Sequence, residues 1–266
     1  MVLEISAVGK SFPVADGPAV KALSDVTLSV AQGEFVSIIG PSGCGKSTLF
    51  NIVGGLITEF DGSVRVDGHE IRGPHREIGM VFQEESTFPW RSALRNVELP
   101  LEIAGVPRAE RHERARELLR LVGLEGFESR FPREMSGGMR QRVSIARTLA
   151  FEPRIMLMDE PFGALDEQTR LLLGDKVLKI WQKIRQTTLL ITHNITEAVQ
   201  MSDRVVVMSH RPGRIKRIID IDLPRPRSSE AMRDHKFGDY VGMIWTDLRE
   251  EASRHMEESE EGARVA

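Results

Sequence analysis

The stretch EFVSIIGPSGCGKSTLFNIVGGL, residues 34–56, decides the fold. Its first six residues read as a strand that stops at Gly40. GPSGCGKST (40–48) then matches G-x-x-x-x-G-K-[ST], and TLFNIVGGL (48–56) is compatible with a helix. Strand, glycine loop and helix together form the context in which this string cradles phosphate. Gly40, Gly43 and Gly45 let backbone N–H groups turn inward, and the helix N-terminus adds partial positive charge. Lys46 has the reach for the β- and γ-phosphates, and the Ser47 hydroxyl can take a magnesium position. Ser42, Cys44 and Thr48 complete the loop. Cys44 reads as a small loop filler; a helix N-terminus can also lower a thiol pKa, and modification there would block nucleotide.

Two further strings extend the site. RIMLMDEP (154–161) reads as a buried strand ending in two acids. Ligands of open α/β sheets sit at the carboxyl ends of strands, so Asp159 is expected to face the magnesium shell. Glu160, one residue on, points differently and can polarise an attacking water. MSGGMRQR (135–142) offers a second anion grip: Ser136 can cap the following helix, and Gly137 and Gly138 expose bare N–H groups. One chain needs one phosphate loop, so a second grip points to a site shared between two chains.

The rest of the chain alternates strands and helices. Residues 2–8, 25–30, 62–68 and 78–82 read as strands. Signals turn helical from about 92, and Pro107 opens a run that places Ala115, Leu118, Leu119 and Val122 on one face, with Gly123 as its stop. Strands return at 154–158, 187–192 and 204–208. Between the first two lies a helix whose Val177, Ile180, Trp181 and Ile184 share a face. This alternation implies a parallel sheet buried on both sides. After Pro224 and Pro226 comes an amphipathic helix with Tyr240, Met243, Ile244 and Leu248, and residues 255–266 are expected to fray.

Composition excludes several classes. With 36 Lys+Arg against 39 Asp+Glu, the net charge of −3 gives no global basic field for nucleic acid or an anionic membrane. Cys44 is the one cysteine, so neither an intrachain disulfide nor a cysteine zinc site is possible. No apolar run approaches the ~18 residues of a membrane span, and MVLEISAVGK lacks a signal pattern. A role at a membrane therefore requires a partner that holds the chain there.

The order GPSGCGKST, VFQ, SGGMRQR, IMLMDEPFGALD and ITH, across residues 2 to about 223, resembles the ATP-binding subunit of an ABC transporter. The resemblance implies an α/β fold: a P-loop NTPase core with a mostly parallel sheet, an antiparallel β subdomain and an inserted helical subdomain at about 92–150. The ATPase domain would span 1–223, with 224–266 a helical tail. Two subunits head to tail would sandwich two ATP molecules, each between one phosphate loop and the other chain's SGG string. Gln83 would contact magnesium and sense the membrane partner, and His193 would contact the γ-phosphate. Asp166 would sit at the dimer interface, although it can also simply cap the next helix. Phe12 stands where an aromatic ring stacks on adenine. Met139 departs from the commoner Gln after SGG, so no polar contact is carried over to it.

The turn DEPFGALD is similar to importers, and EESTFPWRSALRNVELPLEIAGV (84–106) to importers of nitrate, sulfonates such as taurine, and similar solutes. Phe88, Pro89 and Trp90 either pack inside the helical region or line a groove for a short helix of a permease. The implied partners are a second copy, permease subunits and, indirectly, a solute-binding protein, with the chain held at the cytoplasmic face of the inner membrane. The alternative is a non-transport ABC ATPase acting on DNA or ribosomes. Such proteins usually carry a coiled-coil insertion or a second cassette, for which 49–134 leaves no room.

Overall fold

A computed structural model describes residues 1–265 except Asp16, Glu84, Glu85 and Ala164, with side chains given through Ser253. Strands β1 (Leu3–Val14) and β2 (Gly17–Val30) form a long antiparallel ribbon. With β4 (Asp61–Val66) and β5 (His69–Glu70) they make a four-stranded antiparallel sheet, ordered β2-β1-β4-β5. A six-stranded sheet is built from β3 (Phe35–Ile39), β6 (Ile78–Val81), β7 (Ile155–Asp159), β8 (Thr187–Ile191), β9 (Arg204–Met208) and β10 (Ile215–Asp220). Its order is β10-β9-β3-β8-β7-β6, all parallel except the β10 edge.

All five residues of β3 and of β8 are buried. That explains their unbroken apolar pattern, because both faces of the sheet are covered. One face packs on α1 (Lys46–Val53) and the antiparallel sheet, through Val36, Ile38, Leu157 and Leu189 against Leu3, Ile5, Phe50 and Val64. The other meets α2 (Ala93–Ile103), α3 (Arg108–Leu121), α4 (Gly137–Ala150) and α5 (Glu167–Ile184). There Phe35 meets Trp181 edge-on, with ring centroids 5.5 Å apart. Burying side chains of this size gives ~1.5–3 kcal/mol each, the main source of stability in such a core.

A third cluster gathers α6 (Ile195–Met201) and α7 (His235–Val265) on β3, β9 and the Ile219–Leu223 segment. The polar tail is thus packed on the core: Phe237 and Ile244 are buried. Arg227, also buried, donates to the Ser202, Ile221 and Leu223 carbonyls. No described helix is long and apolar enough to cross a membrane.

Three sequence expectations change. The β1–β2 ribbon is longer than residues 2–8 and 25–30, because it continues through register shifts that break the two-residue alternation. Ile184 is 54% exposed rather than on the buried face, since α5 ends there with Arg185 in the left-handed region. Met243 is 42% exposed, whereas Ile244 is fully buried and Tyr240 and Leu248 lie half-buried beside it. The side chains of 255–266, expected to fray, lie outside the described residues.

Candidate functional site

Four neighbouring parallel strands, β3, β8, β7 and β6, end on the same edge of the sheet. Each carries functional candidates just past its carboxyl end: Gly40–Thr48 after β3, His193 after β8, Asp159 and Glu160 at β7, and Gln83 after β6. Crossover connections force this convergence, which is why ligands collect at such edges. The result is a cleft of about 680 Å³ lined by Ser42, Gly43, Gly45, Lys46, Ser47, Thr48, Gln83, Glu160 and His193. Phe12, from the exposed part of the β1–β2 ribbon, closes one wall, and Lys10 Nζ lies 5.3 Å above its ring.

The glycine loop wraps the start of α1. Gly45 has φ +103, and a Cβ there would stand 2.7 Å from Leu23 Cδ2 and 2.9 Å from the Ala22 carbonyl. Only glycine allows this turn and this approach. Lys46 is buried, and its Nζ donates to the Gly40 and Pro41 carbonyls at 2.8 Å each. The ammonium is therefore held inside the loop, where phosphate oxygens can replace those carbonyls as partners.

Glu160 turns out of β7 with φ +44, in the left-handed region that non-glycine residues rarely adopt. The turn separates its side chain from that of Asp159. Gln83 Nε2 donates to Glu160 Oε2 at 3.1 Å, and His193 Nδ1 lies 3.2 Å from the same oxygen. Asp159 instead meets the Ser47 hydroxyl, and burial raises its pKa, aided by the adjacent Glu160. Its Oδ1 is buried without a hydrogen-bond partner among the described residues.

That orphaned oxygen and the neighbouring Ser47 hydroxyl are hard oxygen donors of the kind that fits a small divalent cation; Asp159 is not itself in the cleft lining, whereas Ser47 and Gln83 are. The Gln83 carbonyl remains available because its amide nitrogen is the group that bonds Glu160.

Ser136 caps α4, accepting from the Met139 N–H at 3.3 Å, with Gly137 and Gly138 in the first turn. None of the three lines the cleft. A Cβ on Gly138 would stand 2.5 Å from Leu165 Cδ2, so the SGG string abuts the GALD turn of the same chain. Asp166 caps α5 through the Thr169 N–H at 2.9 Å, and that bond lowers its pKa. Ala164, in the same turn, lies outside the described residues. Met139 is half-buried and packs on the helical core, consistent with no polar role.

Cys44 fits its reading as a loop filler, and the thiol pKa that a helix start can lower is not lowered here. The thiol is 1% exposed, and burial raises its pKa more than Lys46 lowers it. Sequence reading also missed Arg211, which lines the cleft from the turn after β9. Its turn also holds Arg214, and nothing in the sequence singles Arg211 out from it.

Phe88 and Trp90 divide between the two readings made of them. Phe88 is half-buried, under the Arg147 guanidinium and 5.5 Å from the Trp90 ring. Its backbone N–H donates to Asn96 Oδ1. Trp90 is 71% exposed. A separate apolar hollow of about 470 Å³ includes Phe82, Phe88, Leu99, Pro100, Ile103 and Phe151.

Comparison with known proteins agrees with this geometry. The family model described as ABC transporter matches residues 23–163. The chain is 42% identical over 266 residues to a nitrate import ATP-binding protein of Synechocystis, covering 98% of each. It is 41% identical over 270 residues to a taurine import ATP-binding protein of Jannaschia, covering 97% of this chain and 98% of the other. Among solved structures it is similar to an ATP-binding cassette in a dimeric, post-hydrolysis state bound to ADP and Pi, with TM-score 0.74 and 34% identity over 84% of this chain and all of that one. Matched over more than half its length by the family model, and end to end by import ATP-binding proteins, this chain belongs to the ATP-binding proteins of the ABC transporter family.

Proposed function

We propose that the chain binds and hydrolyses ATP as the power subunit of an importer for a small anion or sulfonate-like solute. The observation that carries this is the Glu160 carboxylate, held between Gln83 and His193 beside the phosphate loop. Residues 1–223 form the ATPase unit, with 92–150 its helical part and 224–266 the tail.

In this reading Lys46 and the Gly40–Thr48 backbone hold the phosphates, and Phe12 stacks on the base. Ser47, Asp159 and Gln83 hold magnesium, which when bound neutralises charge on the phosphates. Glu160 accepts the proton of the attacking water. His193 contacts the γ-phosphate and, by its bond to Glu160, keeps that carboxylate aimed. Ser136, Gly137 and Gly138 grip the nucleotide of a second copy. Their absence from the described lining of the chain's own cleft supports this. Asp166 lies at the resulting interface.

The hollow at Phe82, Phe88 and Ile103 suits a short apolar helix of a permease. That contact would hold the chain at the cytoplasmic face of the membrane, below a permease fed by a solute-binding protein. The import relatives support the solute class. Proteoliposomes carrying the native permease, with ATP and this chain inside and the binding protein and solute outside, test the reading. ATP-driven uptake of nitrate, taurine or an alkanesulfonate is expected with the wild type and absent with Lys46→Ala. Uptake that survives Lys46→Ala rejects it.

A further inference from the structure

The turn after β9 brings into the cleft a charge that the family motifs leave unused. Arg211 is exposed and lines the cleft with Phe12, Ser42 and Gly43. Among the described residues its guanidinium has no hydrogen-bond or ion-pair partner. Lys46, the other cation of the lining, is engaged by loop carbonyls. Arg211 is therefore the cleft's unengaged positive charge.

Its turn is clamped on two sides. Toward the site, Gly213 donates its N–H to the Ala22 carbonyl at 2.9 Å, and Ser24 donates to the Gly213 carbonyl at 3.0 Å. A Cβ on Gly213 would fall 2.0 Å from the Cys44 carbonyl oxygen, so the turn lies directly on the phosphate loop. Toward the tail, the His210 N–H donates to Glu251 Oε2 on α7 at 3.0 Å. Glu251 Oε1 lies 3.1 Å from Lys216 Nζ, which also meets Asp247 and Glu250. Glu251 and Asp247 are buried, and buried carboxylates persist only where they are paired in this way.

We propose that Arg211 binds the nucleotide's phosphate oxygens, and that the C-terminal helix positions it through the Glu251–His210 bond. This rests on reading the cleft as the nucleotide site. Contact of the turn with the phosphate loop, rather than with Phe12 alone, favours phosphate over base. A guanidinium matches phosphate oxygens in both charge and fork geometry. The tail thereby acquires a role: it braces one wall of the nucleotide site.

The experiment measures ATP and GTP affinity of the full chain at low and high salt, with melting temperatures alongside. Arg211→Ala is expected to weaken ATP and GTP equally, by about threefold to tenfold at low salt and less at high salt. Its melting temperature should not move, because the side chain is exposed. Glu251→Ala should weaken binding in the wild-type background and add nothing in the Arg211→Ala background. Unchanged affinity in Arg211→Ala while Lys46→Ala loses binding overturns the proposal and leaves the cleft assignment intact. A loss seen for ATP but not GTP means base contact, and also overturns it. Equal Glu251→Ala losses in both backgrounds, or Arg211-dependent binding with an inert Glu251→Ala, reject the brace. Binding unaffected by Lys46→Ala as well would reject the cleft assignment and the proposal together. Should Glu251→Ala melt early, Glu251→Gln, which keeps an acceptor for His210, is expected to retain near-wild-type affinity; a full loss there contradicts the brace.

Discussion

Gln83 and Glu160, seventy-seven residues apart, share a hydrogen bond of 3.1 Å across the ends of β6 and β7. The same carboxylate oxygen lies 3.2 Å from His193. A carboxylate held from two sides is pre-aimed, and aim is what a general base needs before its basicity matters. It also gives Gln83 a one-bond path to the group proposed to activate water.

Glu160→Gln tests that role. Glutamine keeps an oxygen for the Gln83 amide and removes the base. ATP hydrolysis is expected to fall about a hundredfold or more, while ATP still binds and a nucleotide-bound dimer accumulates. Turnover assays and size-exclusion with Mg-ATP give the answer. Normal turnover in the variant removes Glu160 from the chemistry.

Glu197 makes stability depend on pH. Its carboxyl is buried in α6, accepts from the Thr192 hydroxyl at 3.0 Å, and has its other oxygen without a partner among the described residues. Burial pushes its pKa up to about 7, against the pull of Thr192 and Arg170 and with help from Glu160. An unfolded glutamate titrates near 4.5. Between those values the native state keeps a proton that the unfolded state has lost, so stability falls as pH rises through the window. Glu197→Gln removes the penalty. Its melting temperature should match wild type near pH 5 and exceed it near pH 8, a gain on the order of 1–3 kcal/mol. A gain of equal size at both pH values would mean that Glu197 does not titrate there.

Cys44 should be a slow thiol. It is buried with a raised pKa, so alkylation by iodoacetamide near neutral pH is expected at least about tenfold slower in the native chain than in denaturant. Mass spectrometry of timed quenches measures both rates. A native rate equal to or above the denatured one would contradict a buried thiol of raised pKa.

Phe88 and Trp90 should separate. Phe88→Ala removes packing beneath Arg147 and is expected to lower the melting temperature by several degrees. Trp90→Ala, at an exposed ring 5.5 Å from the Phe88 ring of the hollow proposed for the permease, should leave melting and basal ATPase unchanged and reduce transport through a reconstituted permease. Loss of basal ATPase in Trp90→Ala would count against a docking role.

The site was legible where chemistry needs a fixed spacing along the chain. The glycine loop, the acids after β7 and the Ser136 cap each depend on adjacent residues, so their strings sufficed. The parallel core was legible because strands buried on both faces are apolar throughout. What stayed hidden depends on tertiary contact. Bulges extend the β1–β2 ribbon past its alternating pattern. α6 is seven residues long, too short to show helical periodicity. β10 is an edge strand with one buried residue, and nothing near Arg211 in sequence announces the cleft it enters. For Cys44 the filler reading holds, while the sign of its pKa shift depends on burial, which position at a helix start does not reveal.

The most direct measurement addresses the shared site. Ser136→Arg puts bulk and charge on the second grip, and Lys46→Ala disables the first. A mixed dimer of the two variants, purified through two different tags, carries both lesions in one composite site if Ser136 acts in trans. Its other site then has an intact Lys46 and an intact Ser136. ATP trapping is expected at about one nucleotide per mixed dimer and none in either parent homodimer. No trapping in the mixed dimer, as in both parents, would contradict a nucleotide site built from two chains.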